Sequence, residues 1–148
     1  MNYQYEYPRP AVAVDIVVIR QNESQPREVL LIKRLREPFA EQWAVPGGFL
    51  DENETLEQAA ARELMEETGL ECQTLCQLQA FSTLDRDPRS RVISVAFLAN
   101  ILPDQTPIAA DDAKDVGWFP IGKIPRLAFD HKEMIALALK KLRAPQIT

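Results

Sequence analysis

Hydrophobic residues along the chain fall into blocks whose period changes from strand-like to helix-like. Residues 11–19, AVAVDIVVI, form a nearly continuous β-branched run, as in a buried strand. Asp15 interrupts it, read as a strand-end polar group or, alternatively, as a residue facing a site. Residues 29–35, VLLIKRL, predict a second strand. Lys33 and Arg34 near its end are either solvated edge charges or phosphate contacts. Residues 72–83 suit another strand, and residues 91–102, RVISVAFLANIL, a strongly β-branched and aromatic one. Trp118-Phe119-Pro120 reads as a short strand end. Polar stretches at 20–28, 36–42, 84–91 and 103–113 separate these blocks as loops.

Two segments carry a helical period. In the first, Thr55 is an N-cap and Gln58 completes a capping box. Leu56, Ala60 and Leu64 give the apolar stripe, and Gly69 suits the left-handed position past the C-terminus. In the second, residues 130–143, Asp130 is the expected N-cap with Glu133 as its capping-box partner. Ile135, Leu139 and Leu142 form its expected buried stripe, and Lys140, Lys141 and Arg143 suit its C-terminus. His131, the only histidine, is read as a packing or hydrogen-bonding residue at the helix start, with proton shuttling as the alternative. The order β-β-α-β-β-β-α with short hairpin connections predicts an α/β fold, a mixed sheet sandwiched between helices.

The length of 148 residues suits one domain, 1–148, with residues 1–10 as a polar and aromatic N-terminal arm. No repeat, linker or low-complexity segment divides it. A net charge of −5 disfavours bulk attraction to nucleic acid or to an anionic membrane, so an anionic substrate needs local cations. Cys72 and Cys76, on one extended strand, lie about 13 Å apart, too far for a disulfide. The N-terminus lacks the pattern of a signal peptide, and no apolar run reaches membrane-spanning length. A cytoplasmic protein is expected.

The densest chemistry lies in residues 48–70, GFLDENETLEQAAARELMEETGL. Glu63, Glu66 and Glu67 are three and four residues apart, hence neighbours on one helix. Like charges at that spacing destabilise a helix, and glutamates near its C-terminus oppose the macrodipole. A divalent cation among them reverses that cost, and oxygen ligands favour Mg²⁺, with Mn²⁺ as substitute. Taken alone, the three glutamates describe a solvated face with ordinary pairs, such as Arg62 with Glu66, better than a metal site.

The whole stretch resembles the signature of the Nudix hydrolase family, G-x5-E-x7-R-E-U-x-E-E-x-G-U. Gly48, Glu54, Arg62, Glu63, Leu64, Glu66, Glu67, Gly69 and Leu70 meet each fixed position. The lead-in from Trp43 to Gly48 resembles the family's WxxPGG. The resemblance implies the Nudix α/β/α sandwich, and metal held by Glu63, Glu66, Glu67 and the carbonyl of Gly48. Glu54 is implied as an outer ligand, and Arg62 as the residue orienting the glutamates. An acidic residue after the signature often joins the metals or acts as base; Asp112 is the first candidate and Asp115 the second.

The run DRDPRSRVISVAFLA and the later LAFDHKEMI resemble the ADP-ribose pyrophosphatase branch, although Ser90 replaces its usual glycine. That branch favours Arg86, Arg89 and Arg91 as phosphate contacts over an exposed loop with internal Arg–Asp pairs; Arg34, at the end of its strand, is a further candidate. Phe39 is a candidate adenine-stacking surface, whereas Trp43 is assigned to the core. Cleavage of ADP-ribose to AMP and ribose 5-phosphate is implied, with a homodimer, a nucleotide ligand and no nucleic-acid partner. The rival substrate is a nucleoside triphosphate such as oxidised dGTP. The rival of another class is a non-catalytic ADP-ribose sensor, since relatives of this branch carry a winged helix after the Nudix domain. The chain stops just after its last sandwich helix without a basic extension and keeps each acidic position, so an enzyme is expected.

Overall fold

The computed structural model describes residues 2–21 and 26–143. Part of the 20–28 turn, residues 22–25, lies outside the described residues. The elements are β1 (Ala11–Arg20), β2 (Glu28–Arg34), β3 (Trp43–Ala44), β4 (Gly47–Phe49), α1 (Leu56–Thr68), β5 (Cys72–Phe81), β6 (Val92–Ile101), β7 (Ala113–Pro120) and α2 (His131–Arg143). A single 3-10 turn, Ile121–Lys123, follows β7.

The sheet is mixed, as expected, in the order β3-β2-β1-β6-β5, with β4 added to β1 and β7 to β2. β1 runs parallel to β6 from Ala11 opposite Val92 to Val18 opposite Ala99. That pairing corrects the expectation of hairpin connections throughout, because α1 and β5 lie between the two strands in sequence. The other edge of β1 is shared. Its end pairs with β2 at Ile19–Val29 and Arg20–Glu28. Its first half pairs with β4 through Ala13–Phe49, Val14–Gly48 and Asp15–Gly47. The sheet therefore splits between β2 and β4, and that split opens the cleft described below.

Strand alternation assigns the two faces. Val14, Ile16 and Val18 of β1, Leu30 of β2 and Val95, Phe97 and Ala99 of β6 pack with Ala59, Ala60 and Leu64 of α1. Val17, Val29, Leu31 and Ala96 pack with Met134, Ile135, Ala138 and Leu139 of α2. The result is the predicted α/β/α sandwich. Trp43 joins the α2 face, edge-on to Phe119 with ring centroids 4.7 Å apart.

Helix α1 starts and stops as its sequence predicts. The Thr55 side chain accepts from the Gln58 amide, and the Gln58 side chain accepts from the Thr55 amide. Gly69 adopts φ 72° and donates to the Met65 carbonyl. Elsewhere the structure differs. β3 and β4 are two and three residues long, too short to show a period. β7 begins at Ala113 rather than at Trp118, because Lys33–Asp115 and Ile32–Val116 pairing recruits a polar stretch to the edge of β2. In α2, Leu142 is exposed, and Met134 and Ala138 complete the buried stripe. Both oxygens of Asp130 accept from Arg86, so the expected capping box is replaced by a tertiary ion pair.

Thr55→Ala removes one side-chain cap of α1 and is expected to cost about 1 kcal/mol of stability. Urea unfolding at fixed pH measures it, with an unchanged m-value expected.

Candidate active site

The signature residues assemble between α1 and β4. Residues 63 and 67 are one helical turn apart and both turn inward, so Glu63 and Glu67 are buried whereas Glu66 stays exposed. The backbone of β4 lies directly over them. A Cβ at Gly48 would collide with the Glu63 carboxylate, and one at Gly47 with Asp15 and the Val14 carbonyl. The paired glycines thus allow two carboxylate-bearing elements to approach from opposite faces. The Gly47 amide donates to Glu67 Oε1 at 2.7 Å.

The register also decides which glycine carbonyl faces the site. Ile16 donates to the Pro46 carbonyl and Leu50 to the Val12 carbonyl. Between these bonds, Val14–Gly48 is the hydrogen-bonded pair of an antiparallel ladder and Asp15–Gly47 the non-bonded one. The Gly48 carbonyl therefore points into the sheet, and the amide and carbonyl of Gly47 point outward beside Glu67. This corrects the expectation that Gly48 supplies a carbonyl ligand; Gly47 is placed to do so.

Arg62 is the hub of the carboxylates. Its Nε donates to Glu54 Oε2 at 2.9 Å and its Nη2 to Glu54 Oε1 at 2.5 Å. Nη1 donates to Glu63 at 2.8 Å and to Glu66 at 3.2 Å, and Nη2 also reaches the Phe49 carbonyl at 3.1 Å. The Arg62 bonds pull the Glu54 carboxyl down to about 2. With Glu63 and Glu66 turned to Arg62 and Glu67 to Gly47, the described residues form no cluster of three acidic, histidine or cysteine side chains around one point. Burial pushes the Glu63 carboxyl up, with Glu66 and Asp111 adding to the shift against Arg62. Burial pushes Glu67 further, to about 8, reinforced by Glu63 and Asp15 and opposed by the Gly47 amide.

A cleft of about 350 Å³ opens where β2 and β4 part, lined by Glu63 and Glu67 on one side and Arg34 and Arg89 on the other. Arg34 Nε donates to the Pro38 carbonyl at 2.8 Å. Its two Nη groups have no protein partner among the described residues. Burial and the neighbouring Arg89 cation lower the Arg34 pKa. Arg89 is forked onto Asp87 through Nε at 3.0 Å and Nη2 at 2.7 Å, leaving Nη1 for a ligand. The Arg86 side chain is buried and bidentate to Asp130 at 2.9 and 2.6 Å. Arg91 donates to the Ser82 carbonyl and does not line this cleft.

Phe39 packs edge-on to Phe129 at 4.7 Å and lines a neighbouring groove with Phe81 and Arg86. Asp112 lies on the cleft rim, paired with Arg36 at 3.1 Å, next to Asp111. Asp115 sits on β7 opposite Lys33, away from the cleft lining.

Sequence reasoning missed a buried polar cluster behind the glycines. Asp15 shares the α2 face with Val17 and accepts from the Ser94 hydroxyl. Burial would raise the Asp15 carboxyl, but His131, Ser94 and Arg86 outweigh it and hold it below the usual carboxylate range. The His131 ring accepts from the Val45 amide at Nδ1, 3.1 Å, and presents Nε2 to Asp15 at 3.4 Å. It thereby ties the start of α2 to the loop that leads into Gly47. The parity of β1 was the available signal: an aspartate two residues before Val17 must face the same helix.

Fold and site together define an α/β/α domain whose cleft opposes carboxylates to guanidiniums. The NUDIX domain profile matches residues 9–138, and the chain belongs to that family of hydrolases. It is 43% identical over 129 residues to the ADP-ribose pyrophosphatase of Methanocaldococcus jannaschii, covering 87% of this chain and 73% of that protein. It superposes on the NUDIX domain of Shewanella oneidensis NrtR complexed with ADP ribose at TM-score 0.84 and 32% identity, over 95% of this chain and 94% of that one. It also superposes on the bifunctional NMN adenylyltransferase/ADP ribose pyrophosphatase of Francisella tularensis, complexed with AMP and a Mn ion. That match has TM-score 0.79 and 33% identity, over 93% of this chain and 43% of that one.

The raised Glu67 carboxyl has a definite consequence for metal-free protein. Its unfolded value is near 4.5 and its folded value about 8, so the folded state binds more protons between them. The Glu67 contribution to stability therefore falls as pH rises through that window. Thermal unfolding in chelator across that range is expected to show a steeper loss for wild type than for Glu67→Gln.

Proposed function

We propose that the chain hydrolyses the pyrophosphate bond of a nucleoside diphosphate linked to another moiety, with ADP-ribose as the leading substrate. The products are then AMP and ribose 5-phosphate. One observation carries the reading: Glu63 and Glu67 face Arg34 and Arg89 across a single cleft. A site for an anion alone would not bury two carboxylates at the same place, and a site for a cation alone would not need two arginines in its wall.

The donor set fits a hard divalent cation. Glu63, Glu66, Glu67 and the outward carbonyl of Gly47 are all oxygen donors. The burial that raises Glu63 and Glu67 is a cost that a neighbouring cation removes. Mg²⁺ is the proposed ion, with Mn²⁺ as substitute. When bound, it supplies charge neutralisation on the diphosphate and activation of water.

In the reaction a water oxygen bonds to one phosphorus, the bond from that phosphorus to the bridging oxygen breaks, and the other phosphate leaves with the electron pair. The residues of the chain orient these partners. The free Nη groups of Arg34 and Arg89 Nη1 take phosphate oxygens. Arg62 holds Glu54, Glu63 and Glu66 without lining the cleft itself. Phe39 offers a face for the base, and Asp112 on the rim is the proposed proton acceptor. Identity to the named pyrophosphatase and to the two nucleotide-bound structures supports the substrate class. A cytoplasmic homodimer that takes no nucleic acid completes the reading; the exposed Tyr3, Tyr5 and Tyr7 of the arm are compatible with a partner subunit.

Phosphate release after phosphatase coupling tests this with ADP-ribose, NADH, diadenosine polyphosphates and oxidised dGTP, each in Mg²⁺ and in Mn²⁺. ADP-ribose is expected to give the highest kcat/KM; a triphosphate preferred instead overturns the assignment. Binding of ADP-ribose without turnover would identify a sensor. Glu66→Gln and Glu67→Gln are each expected to lower kcat at least about a hundredfold with the fold retained. Near-normal turnover in both would remove the ligand assignment.

A further inference from the structure

Phe129 occupies a position that a bulky residue rarely takes. Its φ is 51°, in the left-handed region where a side chain is strained, and nothing in its local sequence supplies a glycine or asparagine there. Such strain persists only where the surroundings enforce it, and it concentrates at functional sites. The neighbours on both sides are anchored. Ala128 donates to the Trp43 carbonyl at 2.9 Å, Asp130 holds Arg86, and His131 holds the Val45 amide.

The strained backbone places the Phe129 ring among three cations. The guanidinium carbons of Arg34, Arg86 and Arg89 lie 5.1, 5.9 and 5.9 Å from its centroid. Three like charges around one small volume repel one another. Asp130 compensates Arg86 and Asp87 compensates Arg89. Arg34 makes no carboxylate contact within salt-bridge distance among the described residues; its Nε reaches only the Pro38 carbonyl. Beyond the longer-range pull of Glu67, Asp15 and Asp87, the negative face of the Phe129 ring attracts it.

We infer that Phe129 is a positioning residue: its ring gathers Arg34 with Arg86 and Arg89 into one anion-binding cup and so sets the affinity for the diphosphate. This rests on the reading of the cleft as a nucleotide site. Phe129 acts through the guanidiniums. Without the ring's electrostatics, the Pro38 carbonyl is the one hydrogen-bond partner left among the described residues to hold Arg34, and the two forks converge less well on one ligand. The Phe39 ring, edge-on to Phe129, and the His131 ring at 5.4 Å pack against it and restrict its plane.

Calorimetric titration of ADP in Mg²⁺ into the full chain tests this with wild type, Phe129→Tyr, Phe129→Leu, Arg34→Gln and the Phe129→Leu/Arg34→Gln double variant. Phe129→Leu keeps an apolar side chain at the same backbone strain but removes the ring. It is expected to bind ADP about five- to tenfold more weakly. Phe129→Tyr is expected to bind within about twofold of wild type, since it keeps the ring. In the Arg34→Gln background the Leu substitution should cause little further loss. Mono-, tri- and pentafluorinated phenylalanine at position 129 preserve the shape while draining the ring's negative face. Affinity should fall stepwise along that series, which decides the matter even if Phe129→Leu folds poorly. Wild-type affinity in Phe129→Leu, or a flat response to fluorination, overturns the inference while leaving the proposed function intact. A wild-type chain that binds neither ADP nor ADP-ribose overturns the proposed function, and this inference with it.

Discussion

Helix α1 and strand β4 meet so closely that carboxylates of one lie against the bare backbone of the other. Glu63 sits where a Cβ on Gly48 would be, and Glu67 takes the Gly47 amide. Burying two carboxylates on one helical turn is costly by itself, since each loses water and each repels the other. The structure offsets part of that cost locally, through Arg62 on Glu63 and the amide on Glu67. The remainder appears as the raised carboxyl of Glu67, a site that gains by receiving positive charge. A side chain at either glycine would push the strand away from the helix, and the cleft would lose its acidic wall.

The position of that cleft follows from how β1 spends its two edges. One edge is paired with β6 from Ala11 to Val18. The other serves β4 near its start and β2 at its end, and the sheet parts between them. Ligands of open α/β sheets bind where the strand arrangement leaves such a crevice. Here Ile32 and Arg34 of β2 form one lip and Gly47 and Gly48 of β4 the other. The same strand separates the chemistry by parity, so that Val14 and Ile16 pack against the acidic helix while Asp15 turns to His131 on α2.

The basic wall is built from residues distant in sequence. A net-acidic protein must concentrate its cations to hold a diphosphate, and it does so with carboxylates as spacers. Asp87 and Asp130 each engage one guanidinium in two bonds, which fixes its plane. Arg34 is held by a carbonyl and an aromatic face instead. The start of α2 carries much of this, through Phe129, Asp130 and His131, and so links the arginines to the glycine loop in one rigid turn. Asp130 was expected to cap its own helix; the guanidinium of Arg86 offers it a full charge instead of an amide dipole.

Residue order alone determined the long strands, both helices, the Thr55 capping box and the carboxylate trio, because each depends on neighbours within about one or two turns. The spacing of Glu63, Glu66 and Glu67 was legible, but their division into two buried and one exposed was not. That division depends on the phase of α1 against the sheet, which Leu64, Ala60 and their partners on β1 and β6 set. The strands β3 and β4 were too short to show a period, and the early start of β7 came from pairing with β2 some eighty residues earlier. The same holds for the Gly47 carbonyl, the Asp15–His131 contact and the Phe129 ring among its arginines. Each requires knowing which backbone groups the ladder consumes and which it leaves free. That choice is made between strands far apart in the chain, where no local pattern records it.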